Sequence, residues 1–291
     1  RTRNRRNMTS MTGMKTMNLL KIKELVMLQF PVFGQDCNIS HFITTRCGGV
    51  GTAAYQGLNT GDFCGDNPDT VRTNRRLLCQ SMGIEPDRLF VPYQSHEDNI
   101  VKLTEASLFL DNEARQELLH GVDALVTDVP GVCLGVTTAD CVPVLLYDPV
   151  KKVVAAIHAG WRGTVKQIVL KTIRFMEKEY GCNSEAVLAG IGPCIGMEAF
   201  EVGEEVADSF IGAGLPVEEF SRRNVQTGKL HLDLSKANCL QLLQAGVSPT
   251  KINEAGLCTF SDSNLFFSAR RLGFNSGRML SGIQLTNTLQ E

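Results

Sequence analysis

Three short apolar runs follow one another in the middle of the chain: Val132–Val136, Val142–Tyr147 and Val153–Ala159. Each is rich in β-branched residues and shorter than an ordinary helix, so the pattern predicts three buried strands. Pro149 marks the turn between the second and third runs, and the segment 160–164 (Gly-Trp-Arg-Gly-Thr) ends the third. Functional side chains concentrate where rigid strands give way to loops, so polar residues at these ends are the first candidates for a site.

Around this segment the pattern predicts further strands and amphipathic helices. The predicted strands cover residues 39–45, 123–127, 187–190 and 230–234, with short apolar runs at 90–96 and 252–257. The predicted helices cover residues 69–82, 113–119, 164–179, 204–210 and 234–245. No Pro- or Ser-rich linker and no internal repeat divides the chain, so we expect a single α+β domain.

The N-terminal segment differs in composition from the rest. Residues 1–24 contain seven lysines and arginines before the first acid, Glu24, and are otherwise rich in Thr, Ser and Met. This composition is similar to that of an organellar transit peptide, and a disordered tail explains it equally well. We therefore assign residues 1–25 to a disordered or targeting-like segment and residues 26–291 to the folded domain. The expected location is the cytoplasm, or a plastid or mitochondrion if the segment is a transit peptide.

Composition narrows the class of protein. Of the 291 residues, 43% are hydrophobic and 21% charged, which is typical of a soluble globular domain, and no apolar run is long enough to span a bilayer. The net charge of −2 gives no reason to expect nucleic acid or a membrane surface as a partner. The ten cysteines form no CxxC pair, which favours free thiols in a reducing compartment. Five histidines are too few for a blue multicopper oxidase.

Potential metal ligands lie at the joints of the predicted strands. Cys141 stands just ahead of the second central strand, and His158 lies at the end of the third. A thiolate and an imidazole held in this way suit Zn²⁺ or copper. A cysteine in an apolar run is more often a packed core residue, so the alternative for Cys141 alone is structural. His96 ends another apolar run and repeats the pattern of a ligand at the end of a strand, although a histidine in such a place is more often a hydrogen-bonded polar residue than a ligand.

A glycine-rich loop follows the first predicted strand and contains Arg46, Gly48 and Gly49. Such a loop can bring a guanidinium and backbone N–H groups to an anion, although turns of this kind are common. Arg162 precedes a predicted helix, where unpaired N–H groups also favour anions. A surface ion pair is the alternative for Arg162 and for Arg270.

Ten short motifs follow one another over residues 40–283. Two are specific: Thr-Ala-Asp-Cys-Val-Pro-Val at 138–144 and His-Ala-Gly-Trp-Arg-Gly at 158–163. The others are Thr-Arg-x-Gly-Gly-Val at 45–50, Leu-Asn-x-Gly at 58–61, Gly-Asp-x-Pro at 65–68, Gln-x-His at 94–96, Gly-Pro-x-Ile at 192–195, Phe-Glu-Val-Gly at 200–203, Cys-Thr at 258–259 and Phe-Phe-Ser-x-Arg-Arg at 266–271. With these motifs the chain resembles the laccase-domain family. That family carries the label multicopper polyphenol oxidoreductase and is associated with purine nucleoside phosphorylase and adenosine deaminase activity.

The resemblance implies a metal site, a substrate class and a fold. His96, Cys141 and His158 would coordinate one zinc ion, or copper in older accounts, and three such ligands with one open position define a catalytic site. The substrates would be inorganic phosphate and a purine nucleoside such as adenosine, inosine or methylthioadenosine. Two reactions could share the pocket: phosphorolysis to free base and ribose-1-phosphate (methylthioribose-1-phosphate from methylthioadenosine), and deamination at purine C6. The expected fold is a layered α/β/β/α sandwich of mixed β-sheets flanked by helices.

The implied reactions need particular side chains from the matching motifs. Deamination needs a carboxylate to move a proton, for which Asp140 and Glu201 are candidates, although Asp140 could instead orient a ligand histidine. Phosphorolysis needs a cationic cradle for phosphate, for which the Arg46 loop is the first choice and Arg162 and Arg270 come next. The predicted substrate-binding set is therefore Arg46, Gly48, Gly49, Asn59, Arg162, Glu201 and Arg270.

The chain departs from the family pattern at a few positions near the predicted pocket. Bacterial relatives usually have His at the position of Phe63, Gly at Glu97, Tyr at Ala269 and Asp at Leu272. The three expected metal ligands are unaffected, so these departures bear on the lining of the pocket and on substrate preference.

Two other classes of function remain open. A metal-free cysteine hydrolase or deamidase would use Cys141 as nucleophile and His158 as base. A copper-dependent phenol oxidase would hold copper at the same ligands and consume oxygen. The sequence gives no expectation about oligomeric state.

Overall fold

The computed structural model describes residues 17–34 and 36–286. The strands are β1 (Asn18–Ile22), β2 (Leu25–Gln29), β3 (Ile39–Thr44), β4 (Leu89–Phe90), β5 (Ile100–Leu103), β6 (Ala124–Thr127), β7 (Cys133–Thr138), β8 (Val142–Asp148), β9 (Val153–Ala159), β10 (Leu188–Ile191), β11 (Glu201–Val202), β12 (Ser221–Arg223), β13 (Leu230–Leu232), β14 (Ile252–Glu254) and β15 (Met279–Leu285). The α-helices are α1 (Pro68–Met82), α2 (Asn112–Leu118), α3 (Trp161–Val165), α4 (Ile168–Tyr180), α5 (Glu204–Gly212), α6 (Leu234–Ala245) and α7 (Ala269–Leu272). Among the described residues, no helix combines the length and apolar character that crossing a bilayer requires.

Two six-stranded mixed sheets form the scaffold. The first has the strand order β1-β2-β3-β15-β7-β4, and the second has the order β14-β10-β8-β9-β6-β5. Within these sheets only the pairs β4–β7, β5–β6 and β10–β14 are parallel. A small antiparallel sheet of order β11-β13-β12 accompanies them.

The two large sheets pack face to face, and helices cover their outer faces. Side chains of both sheets meet in one apolar core, which includes Val136 and Ile283 from the first sheet and Leu145 and Ala156 from the second. Helix α1 packs on the outer face of the first sheet, and α4 and α6 pack on that of the second. The predicted single α+β domain with α/β/β/α layers is confirmed.

This layering explains the unbroken apolar runs of the central strands. Every residue of β8 and β9 is buried, because one face of each strand meets the first sheet and the other meets the helices. The predicted bounds of β9 match the observed ones, and the predicted ends of β7 and β8 lie within two residues of the observed ends. Strands buried on both faces therefore show no polar alternation in the sequence.

The predicted helix over residues 164–179 is wrong in one respect, because two helices, α3 and α4, occupy this region. Gln167 separates them and takes a left-handed backbone conformation with φ of 60°. The carbonyl of Thr164 accepts a hydrogen bond from the side-chain amide of Gln241 at 2.8 Å, which ties the end of α3 to α6. The apolar spacing predicted for the longer helix is that of α4.

The predicted start of the folded domain at residue 26 is also wrong. Residues 18–22 form β1, which pairs along its full length with β2, and Leu20 is 3% exposed in the adjoining core. Two lysines in and next to β1, Lys21 and Lys23, obscure its apolar pattern in the sequence. Residues 1–16, which carry most of the predicted targeting-like segment, lie outside the described residues.

Candidate metal centre and cavity

The three predicted metal ligands converge from distant parts of the chain. His96 lies in the loop between β4 and β5, Cys141 in the loop that joins the two sheets between β7 and β8, and His158 in β9. Their ligand atoms all lie within 4.8 Å of one another. The rings of the two histidines are nearly perpendicular, with centroids 4.7 Å apart. This His–Cys–His group can hold one metal ion, and soft sulfur with imidazole nitrogen is the ligand set of zinc and copper.

The pairing of two neighbouring strands places two of these ligands side by side. In the antiparallel register of β8 and β9, Val142 is opposite Ala159 and Pro143 is opposite His158. Cys141, one residue before β8, therefore lies beside the end of β9. His96 reaches the same point from a loop in which its own φ is 62°, a conformation that non-glycine residues rarely adopt.

The carboxylate of Asp123 fixes the positions of the two histidines. It lies directly ahead of β6, is fully buried, and receives the Nδ1–H of His158 at Oδ1 over 2.7 Å. The same carboxylate accepts the backbone N–H groups of Ser95, His96 and Glu97 at 3.2, 3.0 and 2.9 Å. One carboxylate thus fixes both histidines, and it leaves Nε2 of His158 as the nitrogen available to a metal.

The charges of these groups favour an ionised thiol. Burial by itself raises the pKa of the Cys141 thiol, but the charge of His158 and hydrogen bonds from His158 and His96 outweigh burial and lower it. Burial lowers the pKa of His158, and the thiolate of Cys141 together with the hydrogen bond to Asp123 more than reverses that effect. Thiolate is the form that binds metal ions, so the surroundings prepare this side chain as a ligand.

Gly160 gives the three ligands room to meet. A Cβ atom at this position would lie 3.0 Å from Cδ2 of His96 and 3.2 Å from Sγ of Cys141. These separations are shorter than ordinary van der Waals contact, so any side chain here would push the ligands apart. The close approach of the ligands therefore favours the glycine after the His-Ala pair.

The ligands line a cavity of about 610 Å³. Its wall also contains three arginines, Arg75, Arg270 and Arg278, and two acids, Asp62 and Asp140. A cavity of this size and mixed polarity suits a small polar molecule. Arg75 and Asp62 form an ion pair at 2.8 Å across part of this wall.

Asp140 and Arg270, two residues predicted for the site, are connected at this wall. The carboxylate of Asp140 accepts the backbone N–H of Arg270 at 2.7 Å and the hydroxyl of Thr259 at 2.6 Å. The guanidinium of Arg270 donates to the backbone carbonyls of Ala199 and Glu201. Asp140 therefore positions the segment that carries Arg270, whereas Asp123 is the acid that orients a ligand histidine.

The predicted anion-binding loop, the first choice for a phosphate site, lies outside this cavity. Arg46 donates to the carbonyls of Gln56 and Ser263 and stacks on Phe267, and neither it nor Gly48 or Gly49 lines the cavity. Both glycines have positive φ. A Cβ on either would lie 2.7 Å from backbone atoms of a neighbouring segment, so the glycines serve the packing of this loop.

Three further predicted substrate-binding residues lie outside the cavity wall. Arg162 is exposed, and its guanidinium lies over the ring of Trp161, which does line the cavity. Glu201 turns away to pair with Lys229 at 2.6 Å. Asn59 is buried and accepts the backbone N–H groups of Gly61 and Arg278, which makes it a support for the loop beneath the wall.

Several residues at or beside the cavity were not predicted from the sequence. Asp123 carried one signal, an acid placed immediately before a fully apolar strand, where a buried charge needs partners. Arg75 and Arg278 gave no such signal, because Arg75 is one of several arginines on α1 and Arg278 precedes a strand that the pattern did not predict. Hydrogen bonds with residues 59–61 hold both arginines at the cavity. Arg75 donates to the Thr60 carbonyl at 2.8 Å, and the backbone N–H of Arg278 donates to the side-chain oxygen of Asn59.

The fold and this centre together define a class of protein: an α+β domain with a His–Cys–His group that can hold a metal ion in the wall of a cavity. The family model described as "Multi-copper polyphenol oxidoreductase laccase" matches residues 40–286. The chain belongs to this family.

Relatives of the chain cover nearly all of it. It is 47% identical over 263 residues to a purine nucleoside phosphorylase of Bacteroides thetaiotaomicron, an alignment covering 90% of this chain and 97% of that protein. It is 40% identical over 245 residues to a protein from an unknown prokaryotic organism named adenosine deaminase RL5, covering 84% and 93%. The crystal structure of YlmD from Geobacillus stearothermophilus matches with a TM-score of 0.83 at 32% identity, covering 92% of this chain and 98% of that one.

Proposed function

We propose that this protein is a zinc-dependent enzyme of purine nucleosides, which transfers the ribosyl group to inorganic phosphate and also deaminates adenosine. The observation that carries the proposal is the His–Cys–His group, with ligand atoms within 4.8 Å, in the wall of a cavity that three arginines also line. The names of relatives, purine nucleoside phosphorylase and adenosine deaminase, support the choice of substrate. Adenosine, inosine and methylthioadenosine are the proposed nucleosides.

The donor set of this chain fits zinc. His158 offers Nε2 because its Nδ1 is held by Asp123, and Cys141 offers a thiol whose pKa is lowered. Among the described residues this is the one group of three such ligands, whereas oxidation of phenols by a multicopper centre needs several metal ions. Bound zinc would supply a Lewis acid to the cavity and make water there more acidic.

In phosphorolysis, a phosphate oxygen forms a bond to ribose C1′ while the bond from C1′ to the purine nitrogen breaks. The purine leaves with the bonding electron pair and takes up a proton. Arg270 is our candidate to bind the phosphate, because its contacts with Ala199 and Glu201 use three of its five N–H groups. The guanidinium therefore keeps donors for an anion while its orientation is already fixed.

In deamination, water adds to purine C6 and ammonia leaves. Asp140 is our candidate to take a proton from the water and return it to the departing nitrogen. Of the two acids in the wall, Asp62 is paired with Arg75, whereas Asp140 is bonded only to a hydroxyl and a backbone N–H. Each of its oxygens keeps a second acceptor position for this role.

Product analysis on a nucleoside panel, with and without phosphate, tests the proposal. We expect phosphate-dependent release of free base and ribose-1-phosphate, and phosphate-independent formation of inosine from adenosine. His96→Ala and Cys141→Ser should lower both activities by roughly a hundredfold or more, together with the zinc content. Cys37→Ser is the matched control, since Cys37 is an exposed thiol away from the cavity. Wild-type protein that turns over no nucleoside, or a Cys141→Ser variant with full turnover, would refute the proposal.

A second candidate, a metal-free thiol hydrolase or deamidase, is favoured by one observation. Cys141, His158 and Asp123 stand in line, with the imidazole between a thiol and a carboxylate, which is the order of a nucleophile, base and orienting acid. Metal analysis of protein purified without added metal separates the two candidates. Stoichiometric zinc that a chelator removes together with activity excludes the thiol hydrolase.

A further inference from the structure

Phe63 stands in the cavity wall in an unfavourable conformation. The residue is 73% exposed, and its φ is 60°, in the left-handed region. Bulky side chains are rare in that region because Cβ approaches the following carbonyl. An exposed ring on such a backbone costs stability and gains little from burial.

The contacts of Phe63 do not explain its presence as a folding requirement. Its ring meets Tyr93 edge to face with centroids 4.9 Å apart, and Tyr93 is itself 42% exposed and stacked on His120. The ring belongs to none of the apolar clusters formed by the buried residues of the described chain. Strained residues persist where function requires them, and His96 and Asp140, in the same wall, also have positive φ.

Phe274 supplies a second exposed ring from a different loop. It follows α7, is 70% exposed and lines the same cavity. We call Phe63, Tyr93 and Phe274 the aromatic collar. The charged groups near the collar, those of Asp62, Arg75 and Arg278, are paired with one another or with backbone carbonyls. We call the part of the wall that carries the candidate metal ligands, Asp140 and Arg270 its polar part.

The proposed chemistry orients a nucleoside against this wall. Purine C6 and ribose C1′ must reach the polar part, because the metal ligands and Arg270 lie there. The 5′ substituent lies at the end of the nucleoside remote from C6, so it faces the collar. A 5′-hydroxyl against these rings would lose water without gaining a hydrogen bond, whereas an apolar group would gain from leaving water.

We propose that the aromatic collar binds the 5′ substituent and that Phe63 makes the enzyme select purine nucleosides with an apolar 5′ group, such as an alkylthio group, over 5′-hydroxyl nucleosides. This inference rests on the proposed function. It assigns substrate selection to a side chain that does not take part in bond making or breaking.

The test compares kcat/KM for 5′-methylthioadenosine with kcat/KM for adenosine, both with phosphate. In Phe63→Asn we expect the ratio to fall about tenfold, the size of a lost apolar contact in a binding pocket. Phe63→Leu should keep most of the ratio. Phe109→Asn is the matched control, since Phe109 is 86% exposed and lies outside the cavity, and its ratio should not change.

Thermal unfolding separates selection from a structural role. Asn tolerates positive φ, so Phe63→Asn should keep or raise the melting temperature while it loses selectivity. An unchanged ratio in Phe63→Asn would overturn the inference. So would an equal loss for both substrates together with a lower melting temperature, because that result marks a structural residue. Failure of the proposed function is a distinct outcome, in which the wild-type protein turns over neither nucleoside.

Discussion

Replacement of Asp123 by Asn tests whether one buried carboxylate holds the metal centre. Its Oδ1 accepts from His96 N–H and His158 Nδ1–H, and its Oδ2 accepts from Ser95 and Glu97. Asn keeps one oxygen, so in either orientation its amide group faces two N–H donors. Each buried donor left without an acceptor costs about 1–3 kcal/mol, so two such donors predict a loss of roughly 2–6 kcal/mol in the free energy of unfolding. Loss of the carboxylate behind a ligand histidine should also weaken metal binding about 10–100-fold.

Urea denaturation of the metal-free protein measures the stability loss, and competition with a chromogenic chelator measures zinc affinity. Asp148→Asn is the matched control. Asp148 is equally buried, but its Oδ1 alone accepts the two backbone N–H groups, which the oxygen of Asn can still accept, and it lies outside the wall of the cavity. We expect the control to keep wild-type zinc affinity. If Asp123→Asn binds zinc as tightly as the wild-type protein, the role given to this carboxylate is wrong.

Three further predictions concern single residues. Gly160→Ala should weaken zinc binding about tenfold, because its Cβ would crowd His96 and Cys141. Gly212→Ala is the control, since that position has open space around it and zinc affinity should not change. Equal zinc affinity in the two variants would contradict the close-approach argument. Burial lowers the pKa of His41 to about 4 in the folded protein, below the pKa of a histidine in the unfolded chain. At a pH between these two pKa values, only the unfolded chain binds a proton at this side chain. Stability should therefore fall by about 2 kcal/mol from about pH 7.5 to about pH 5 in urea titrations, and His41→Gln should lose this dependence. Gln167→Gly should raise the free energy of unfolding by about 0.5–1 kcal/mol through relief of a left-handed backbone; a lower midpoint in urea would show that the Gln side chain matters more.

The three candidate metal ligands were predictable because they stand in motifs that resemble a known family, and their places at the ends of apolar runs supported that assignment. His96, Cys141 and His158 each follow or precede an apolar run, and a strand end is where a rigid scaffold presents a side chain. The place of the Arg46 loop relative to the cavity was not predictable in the same way. The Arg46 loop has the composition of an anion site, yet it lies outside the cavity that the candidate metal ligands line. Composition describes what a loop can bind, and only the fold determines which cavity the loop faces.

By itself, the pattern of the sequence determined the α+β class and the fully buried strands β8 and β9, because burial of a strand or helix face leaves a local periodicity. The α/β/β/α layering and the set of three ligands followed from the resemblance of its motifs to a known family. Tertiary structure alone decided that β15 lies in the middle of the first sheet. Ser281, Gly282 and Gln284 interrupt its apolar pattern, and Gly282 is required because a Cβ there would lie 2.4 Å from the ring of Phe42 on β3. Tertiary structure also brought Asp123 under two histidines from different segments, because sheet register and packing between layers, which no local pattern encodes, fix which distant side chains meet.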